Sequence, residues 1–158
     1  MPSPIDILFL LMKSLNKTLM LFGVGLLFFG FGCSSSSQVS VSLTDQAALN
    51  QTPELRVDIN NEGRDAIEGV IVIIPTSLTE GLGIREVIPR ASETYYDAKK
   101  DVLRYTFDEM VVDAGDLATV QFRMRAKEEG VFKGPVRVCL EKDCENHNVK
   151  TKLVEVGE

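Results

Sequence analysis

From residue 38 onward the chain alternates apolar and polar positions with a period of two. Leu55, Val57 and Ile59 alternate with Arg56, Asp58 and Asn60, and Leu103, Tyr105 and Phe107 with Arg104, Thr106 and Asp108. Val120, Phe122 and Met124 alternate with Gln121, Arg123 and Arg125, and Val136, Val138 and Leu140 with Arg137, Cys139 and Glu141. Successive side chains of a strand point to opposite faces, so each pattern predicts a strand with one apolar and one wet face. Val39, Val41 and Leu43 make a weaker first case, and a last strand is expected around Val149–Val156. Val70–Ile74 reads VIVII, continuously apolar and largely β-branched. That run predicts an interior strand.

Turn chemistry separates these segments. NNEGRD (60–65) reads as a hairpin turn with Gly63 supplying a positive φ. DAGD (113–116) and KEEG (127–130) have the same character. Pro135 suits a strand start or an edge, where its missing N–H does no harm. Pro75 to Lys100 is irregular, with room for a short helix or an extra strand. About seven short strands without a 3.6-residue apolar stripe predict an all-β fold, an antiparallel sandwich.

The N-terminal segment has a different anatomy. Residues 19–31, LMLFGVGLLFFGF, carry no charge, Lys13 and Lys17 precede them, and Cys33 and SSSS follow Gly32. A cationic stretch, a short apolar run and small residues at a cut describe a secretory signal. Thirteen residues is short for a membrane span, which needs roughly 17–25. Residues 30–33, GFGC, resemble the lipobox of bacterial lipoproteins, although Gly30 and Phe31 stand where that family usually has Leu and a small or β-branched residue. The resemblance implies diacylglyceryl transfer to the Cys33 thiol and a new N-terminus there. Met12 gives the more compact leader, because Asp6 in residues 1–11 has no place in such a signal. The expected organisation is a signal peptide over 1–32, a lipidated Cys33 with a polar tether to residue 38, and one domain over 39–158. With Ser34 after the cysteine, the resemblance to Gram-negative lipoproteins favours the outer membrane.

Residues 55–75, LRVDINNEGRDAIEGVIVIIP, and 113–126, DAGDLATVQFRMRA, resemble elements of the immunoglobulin-like modules of bacterial and archaeal surface proteins, which are similar to adhesion-related repeats. The resemblance covers most of 38–157. It implies an immunoglobulin-like sandwich serving as a spacer, adhesive unit or assembly part, and it brings no catalytic residues.

Charge and composition narrow the chemistry. Five of the eight Phe lie before Cys33. Cutting there leaves 126 residues with 15 Lys+Arg against 22 Asp+Glu, a net charge of −7. An acidic body without a basic block is poorly suited to nucleic acid. With one His and three Cys in the chain, no cofactor is expected and little is left for a multi-ligand metal site. Cys139 and Cys144 enclose LEKD, and in an exported chain this spacing predicts a disulfide across a four-residue hairpin loop, on the face away from the core. The rival reading is a redox or metal-handling lipoprotein using Cys139, Cys144 and His147. DINNEGRD (58–65) partly resembles a calcium loop, with Asp58, Asn60, Glu62 and Gly63 at EF-hand-like offsets. Gly69 stands where the bidentate Glu is needed and Glu68 falls one short. Tyr95 and Tyr96 are candidate partner contacts. Arg56, Arg104, Arg123 and Arg125 read as a solvated strand surface. The expected function is a membrane-anchored, non-catalytic module of the cell envelope that binds a protein partner or builds structure.

Overall fold

The computed structural model describes residues 37–155 apart from Lys142. The expected signal peptide and the lipidation site at Cys33 lie outside the described residues. Ten strands form among them: β1 (Ser37–Leu43), β2 (Gln46–Ala48), β3 (Glu54–Asn61), β4 (Ile67–Pro75), β5 (Leu82–Ile88), β6 (Glu93–Asp97), β7 (Val102–Val112), β8 (Leu117–Ala126), β9 (Gly130–Leu140) and β10 (Asp143–Val154). One helical turn, α1 (Thr76–Thr79), joins β4 to β5. The strands build a four-stranded sheet in the order β1-β3-β8-β5 and a six-stranded sheet in the order β2-β10-β9-β4-β7-β6. All pairings are antiparallel except that of β2 with β10. The expected all-β sandwich is therefore the observed architecture.

The alternation decides which side chains meet between the sheets. Leu55, Val57 and Ile59 of β3 and Val120, Phe122 and Met124 of β8 are fully buried. They face Val70, Val72 and Ile74 of β4 and Val136 and Val138 of β9. Tyr105 and Phe122 cross between the sheets edge to face, with ring centroids 5.0 Å apart. Burying one face of each sheet is the main favourable contribution to this fold.

Four expectations change. Pro75–Lys100 supplies two strands, β5 and β6, and β2 adds a third, so seven strands become ten. β1 begins at Ser37 and takes up Gln38, both assigned above to the tether. β4 is interior as expected, between β9 and β7, with Ile71 and Ile73 half-buried on its outward side because no further layer lies over them. NNEGRD is not a hairpin turn: β3 and β4 belong to different sheets. Nor does Gly63 have a positive φ; Gly69 (φ 76), Gly115 (φ 83) and Gly130 (φ 147) do. Gly69 sits where β4 slips register against β7, a bulge that only glycine accommodates without strain.

Asn61 organises this crossover through its side-chain hydrogen bonds. It is 2% exposed. Its Nδ2 donates to the Asp65 carbonyl at 2.9 Å and to the Val112 carbonyl at 2.8 Å, and its Oδ1 accepts from Gly63 N–H at 3.0 Å. Its backbone accepts from Gly115 N–H at 2.7 Å and donates to the Asp116 carbonyl at 3.0 Å. One side chain thus ties the crossover after β3 to the end of β7. Asn61→Ala would leave these buried groups unpaired, and the expected loss is about 2–4 kcal/mol in urea unfolding. A loss under about 0.5 kcal/mol, the range of neutral surface changes, would show that the hub is dispensable.

Candidate functional site

Two outward faces, one disulfide, one groove and the β6 edge make up the chemistry on display. On the four-stranded sheet, neighbouring polar residues satisfy one another. Arg56 Nε donates to both Asp58 oxygens at 2.8 and 2.9 Å, and Thr119 Oγ1 donates to Asp58 Oδ1 across the β3–β8 pair. The hydrogen bond from Arg56 holds the Asp58 carboxyl below its usual range, and the same contact raises Arg56. Arg123 pairs with Glu86 at 2.8 Å, and Arg125 donates to Asn50 at 3.1 Å.

Asp58 is consumed by this network, and Asn60 donates to Glu62. The calcium-like offsets of 58–65 therefore do not bring their oxygens to one point. Among the described residues no group of three or more His, Cys, Asp or Glu side chains is placed to hold a metal ion.

Cys139 and Cys144 are register partners on β9 and β10 and form the expected disulfide, with Cα atoms 4.0 Å apart. Leu140 pairs with Asp143, so the reversal is two residues long rather than four, and its first residue, Glu141, has φ 52. Such a turn matches the twist of the strands it joins. Cys139 lies on the outward side of β9 as expected, yet it is only 7% exposed. His147 pairs with the inward-facing Val136, two residues from Glu145, its 3.5 Å neighbour. His147 and the disulfide thus stand on opposite faces of one sheet. The grouping that a redox or metal-handling site would need is not assembled.

Tyr95 and Tyr96 fall on β6, the edge strand of the six-stranded sheet, and are 55% and 49% exposed. Being adjacent on a strand, they point to opposite sides. Tyr96 donates its hydroxyl to Asp101 at 2.8 Å. The Asp101 carboxylate raises the phenol, while the Thr76 and Tyr96 hydroxyls lower the Asp101 carboxyl. Tyr96 therefore braces the β6–β7 turn. Tyr95 pairs in register with Arg104 on the outward face and is the freer contact.

An open groove of about 690 Å³ runs between the β5–β6 connection and the bulged part of β7. Pro89, Arg90, Ala91 and Ser92 form one side and Phe107, Glu109, Met110 and Val111 the other. Ser92 pins it twice: its N–H donates to the Thr106 carbonyl at 2.8 Å, and its Oγ accepts from Asp108 N–H at 3.0 Å. Sequence reading missed this groove, because it arises where the two sheet edges meet.

The grouping of four arginines into one surface is corrected as well. Arg56, Arg123 and Arg125 share the four-stranded sheet, but Arg104 belongs to the six-stranded one and stands in a row with Ile73 and Arg137. No local signal separates them, since sheet membership is decided by distant pairing.

No protein-family model and no curated protein matches this chain. Among solved structures it is similar to the C-terminal domain of the AgI/II polypeptide BspA of Streptococcus agalactiae, with a TM-score of 0.51 and 10% identity over 75% of this chain and 50% of that one. It is also similar to a non-cellulosomal cohesin from the archaeon Archaeoglobus fulgidus, with a TM-score of 0.47 and 10% identity over 75% and 92% of the two chains. A cohesin module from a Clostridium perfringens family 33 glycoside hydrolase gives a TM-score of 0.47 and 10% identity over 77% and 100%. The first likeness supports the sandwich fold and, at that identity, nothing beyond it.

Two outcomes follow from this geometry. Replacing both Cys139 and Cys144 by Ser should retain the fold and cost about 2 kcal/mol in the chain-entropy model, read by urea unfolding of the oxidised protein and the variant. Complete unfolding of the variant would make the bond a condition of folding rather than a pin on one hairpin. Asp58 titrates lower folded than unfolded, so its stabilisation is present above the ordinary carboxylate range and is lost as pH falls through the folded value. Because the pair is partly exposed, Asp58→Asn should cost no more than about 1 kcal/mol at pH 6. The gap from wild type should begin to narrow below about pH 4 and close as pH falls through the folded value; a gap unchanged down to about pH 3 would show that the carboxylate charge is not what matters.

Proposed function

We propose that this chain is a lipid-anchored, extracytoplasmic lipoprotein whose sandwich is a non-catalytic protein-binding or structural module of the cell envelope. The observation that carries the reading is the cross-strand disulfide between Cys139 and Cys144. A structural disulfide of this kind belongs to an oxidising compartment. It agrees with the export signal read from Lys13 to Gly32 and with the lipobox-like GFGC. Cys33 would carry the acyl chains, and only Ser34–Ser36 separate it from the first strand residue.

The outward surfaces fit a binding role better than a reaction. The groove beside Ser92 brings Arg90 and Glu109 together with apolar residues, and the Ser92 Oγ in it is engaged by the Asp108 N–H. Tyr95, with Arg104 beside it, has the composition favoured at recognition surfaces.

The test is the intact mass of the membrane-extracted protein, before and after reduction and alkylation. The expected species begins at an acylated Cys33 and lacks two hydrogens at Cys139 and Cys144. Cys33→Ala should accumulate an unacylated form. A wild-type mass that retains the leader without acylation would overturn the anchor, and two alkylatable thiols before reduction would overturn the compartment.

A further inference from the structure

The two outward faces are not equivalent. On the four-stranded sheet Arg56, Arg123 and Arg125 each have a side-chain partner. On the six-stranded sheet Arg104 and Arg137 are exposed and make no ion pair with any described residue. They stand in one register row, Arg104–Ile73–Arg137, with Tyr95 beside Arg104 and Asn146 beside Arg137. Two strand spacings separate the arginine backbones, roughly 10 Å. The next row places Ile71 between Thr106 and the Cys139–Cys144 disulfide. Farther along β9 and β10, Lys133 and Lys150 are direct partners. The floor is thus made of half-buried Ile71 and Ile73 and the walls are cationic; on the edge strand β6 two acids share this side, Glu93 opposite Thr106 and Asp97 opposite Val102, and Asp97 accepts from the Lys99 and Lys100 N–H groups.

We infer that this face, centred on Arg104, Ile73 and Arg137, is the docking surface for an acidic segment of a partner protein with an apolar side chain between its carboxylates. The argument is charge complementarity. In a chain of net charge −6, no acid pairs with Arg104 or Arg137 among the described residues, whereas on the opposite face Arg56 and Arg123 are paired with Asp58 and Glu86 and Arg125 donates to the Asn50 amide oxygen. Guanidinium groups beside a low-polarity floor bind carboxylates bidentately and gain strength as water leaves. The apolar floor distinguishes a protein segment from a purely anionic polymer. A flat sheet face lined with Tyr and Arg has the make-up of an interface centre. This inference rests on the binding-module reading above and names the face and the chemistry of its partner.

The test uses the full chain in non-ionic detergent with labelled Ile δ1-methyls, titrated with a short synthetic peptide of repeated Glu-Leu-Glu-Ser. The Ile71 and Ile73 methyls should shift, while buried Ile59 and Ile74 and the distant Ile88 stay still. Reversing both cations, Arg104→Glu with Arg137→Glu, should weaken binding about tenfold or more, and raising the salt should weaken it in the wild type. Arg123→Glu with Arg125→Glu should leave the affinity unchanged. Unaltered Ile59 and Ile74 signals establish that the reversed variant is folded, and the charge-neutral pair Arg104→Gln with Arg137→Gln repeats the test where it is not. Absent shifts, or equal losses from both pairs of variants, would overturn the assignment. Shifts of the same methyls by phosphatidylglycerol vesicles but not by the peptide would replace the partner with a lipid surface. Concentration-dependent shifts without peptide would replace it with a second copy of this chain. Anchoring does not enter this measurement, so a failed lipoprotein reading leaves its outcome intact. A failure here removes this face alone, because cross-linking of a partner elsewhere on the sandwich would still sustain the binding-module reading.

Discussion

The structure depends on one constraint: each sheet has a single apolar face, and only the other sheet covers it. The chain meets this by crossing repeatedly. Of the nine connections between consecutive strands, only β6–β7 and β9–β10 stay within a sheet. Every other connection carries the chain over an end of the sandwich or past its edge. The core is therefore assembled from residues far apart in sequence, as the contact of Tyr105 with Phe122 illustrates. Such topologies bring the cost of loop closure ahead of the reward of burial, and they fold slowly for that reason.

The polar groups that matter structurally sit at the crossings. Asn61 replaces a turn type with a buried hub, and Ser92 clamps the β5–β6 connection onto bulged β7. Tyr96 braces the β6–β7 turn through Asp101. The disulfide has a lesser task, since it closes a short loop on a hairpin that already pairs along its whole length. Its value to the functional argument lies in the compartment it implies.

What remains after these structural duties is the outward side of the six-stranded sheet. There the same alternation that fills the core displays Ile71, Ile73, Arg104 and Arg137 with little to neutralise them. The four-stranded sheet shows the opposite solution, a closed set of ion pairs and hydrogen bonds worth little individually but leaving few groups unmatched. Two faces built from similar residues thus differ in what they offer a partner.

Seven of the ten strands, their inward residues and the disulfide pair were legible in the sequence, because period-two alternation and short Cys spacing are local signals. Leu55, Val57 and Ile59, and Val120, Phe122 and Met124, are buried as their spacing requires. The leader and lipidation site expected at Cys33 lie outside the described residues. Sheet membership was not legible. NNEGRD looks like a hairpin turn from either side, and nothing near it states that β4 will pair with β7 and β9 instead of β3. The separation of Arg104 from Arg56, Arg123 and Arg125 has the same cause, as does the parting of His147 from Cys144. Alternation tells a side chain which side of its own strand it occupies. Which sheet that strand joins, and so which residues share a face, is decided only when distant segments compete for pairing and for burial in one core.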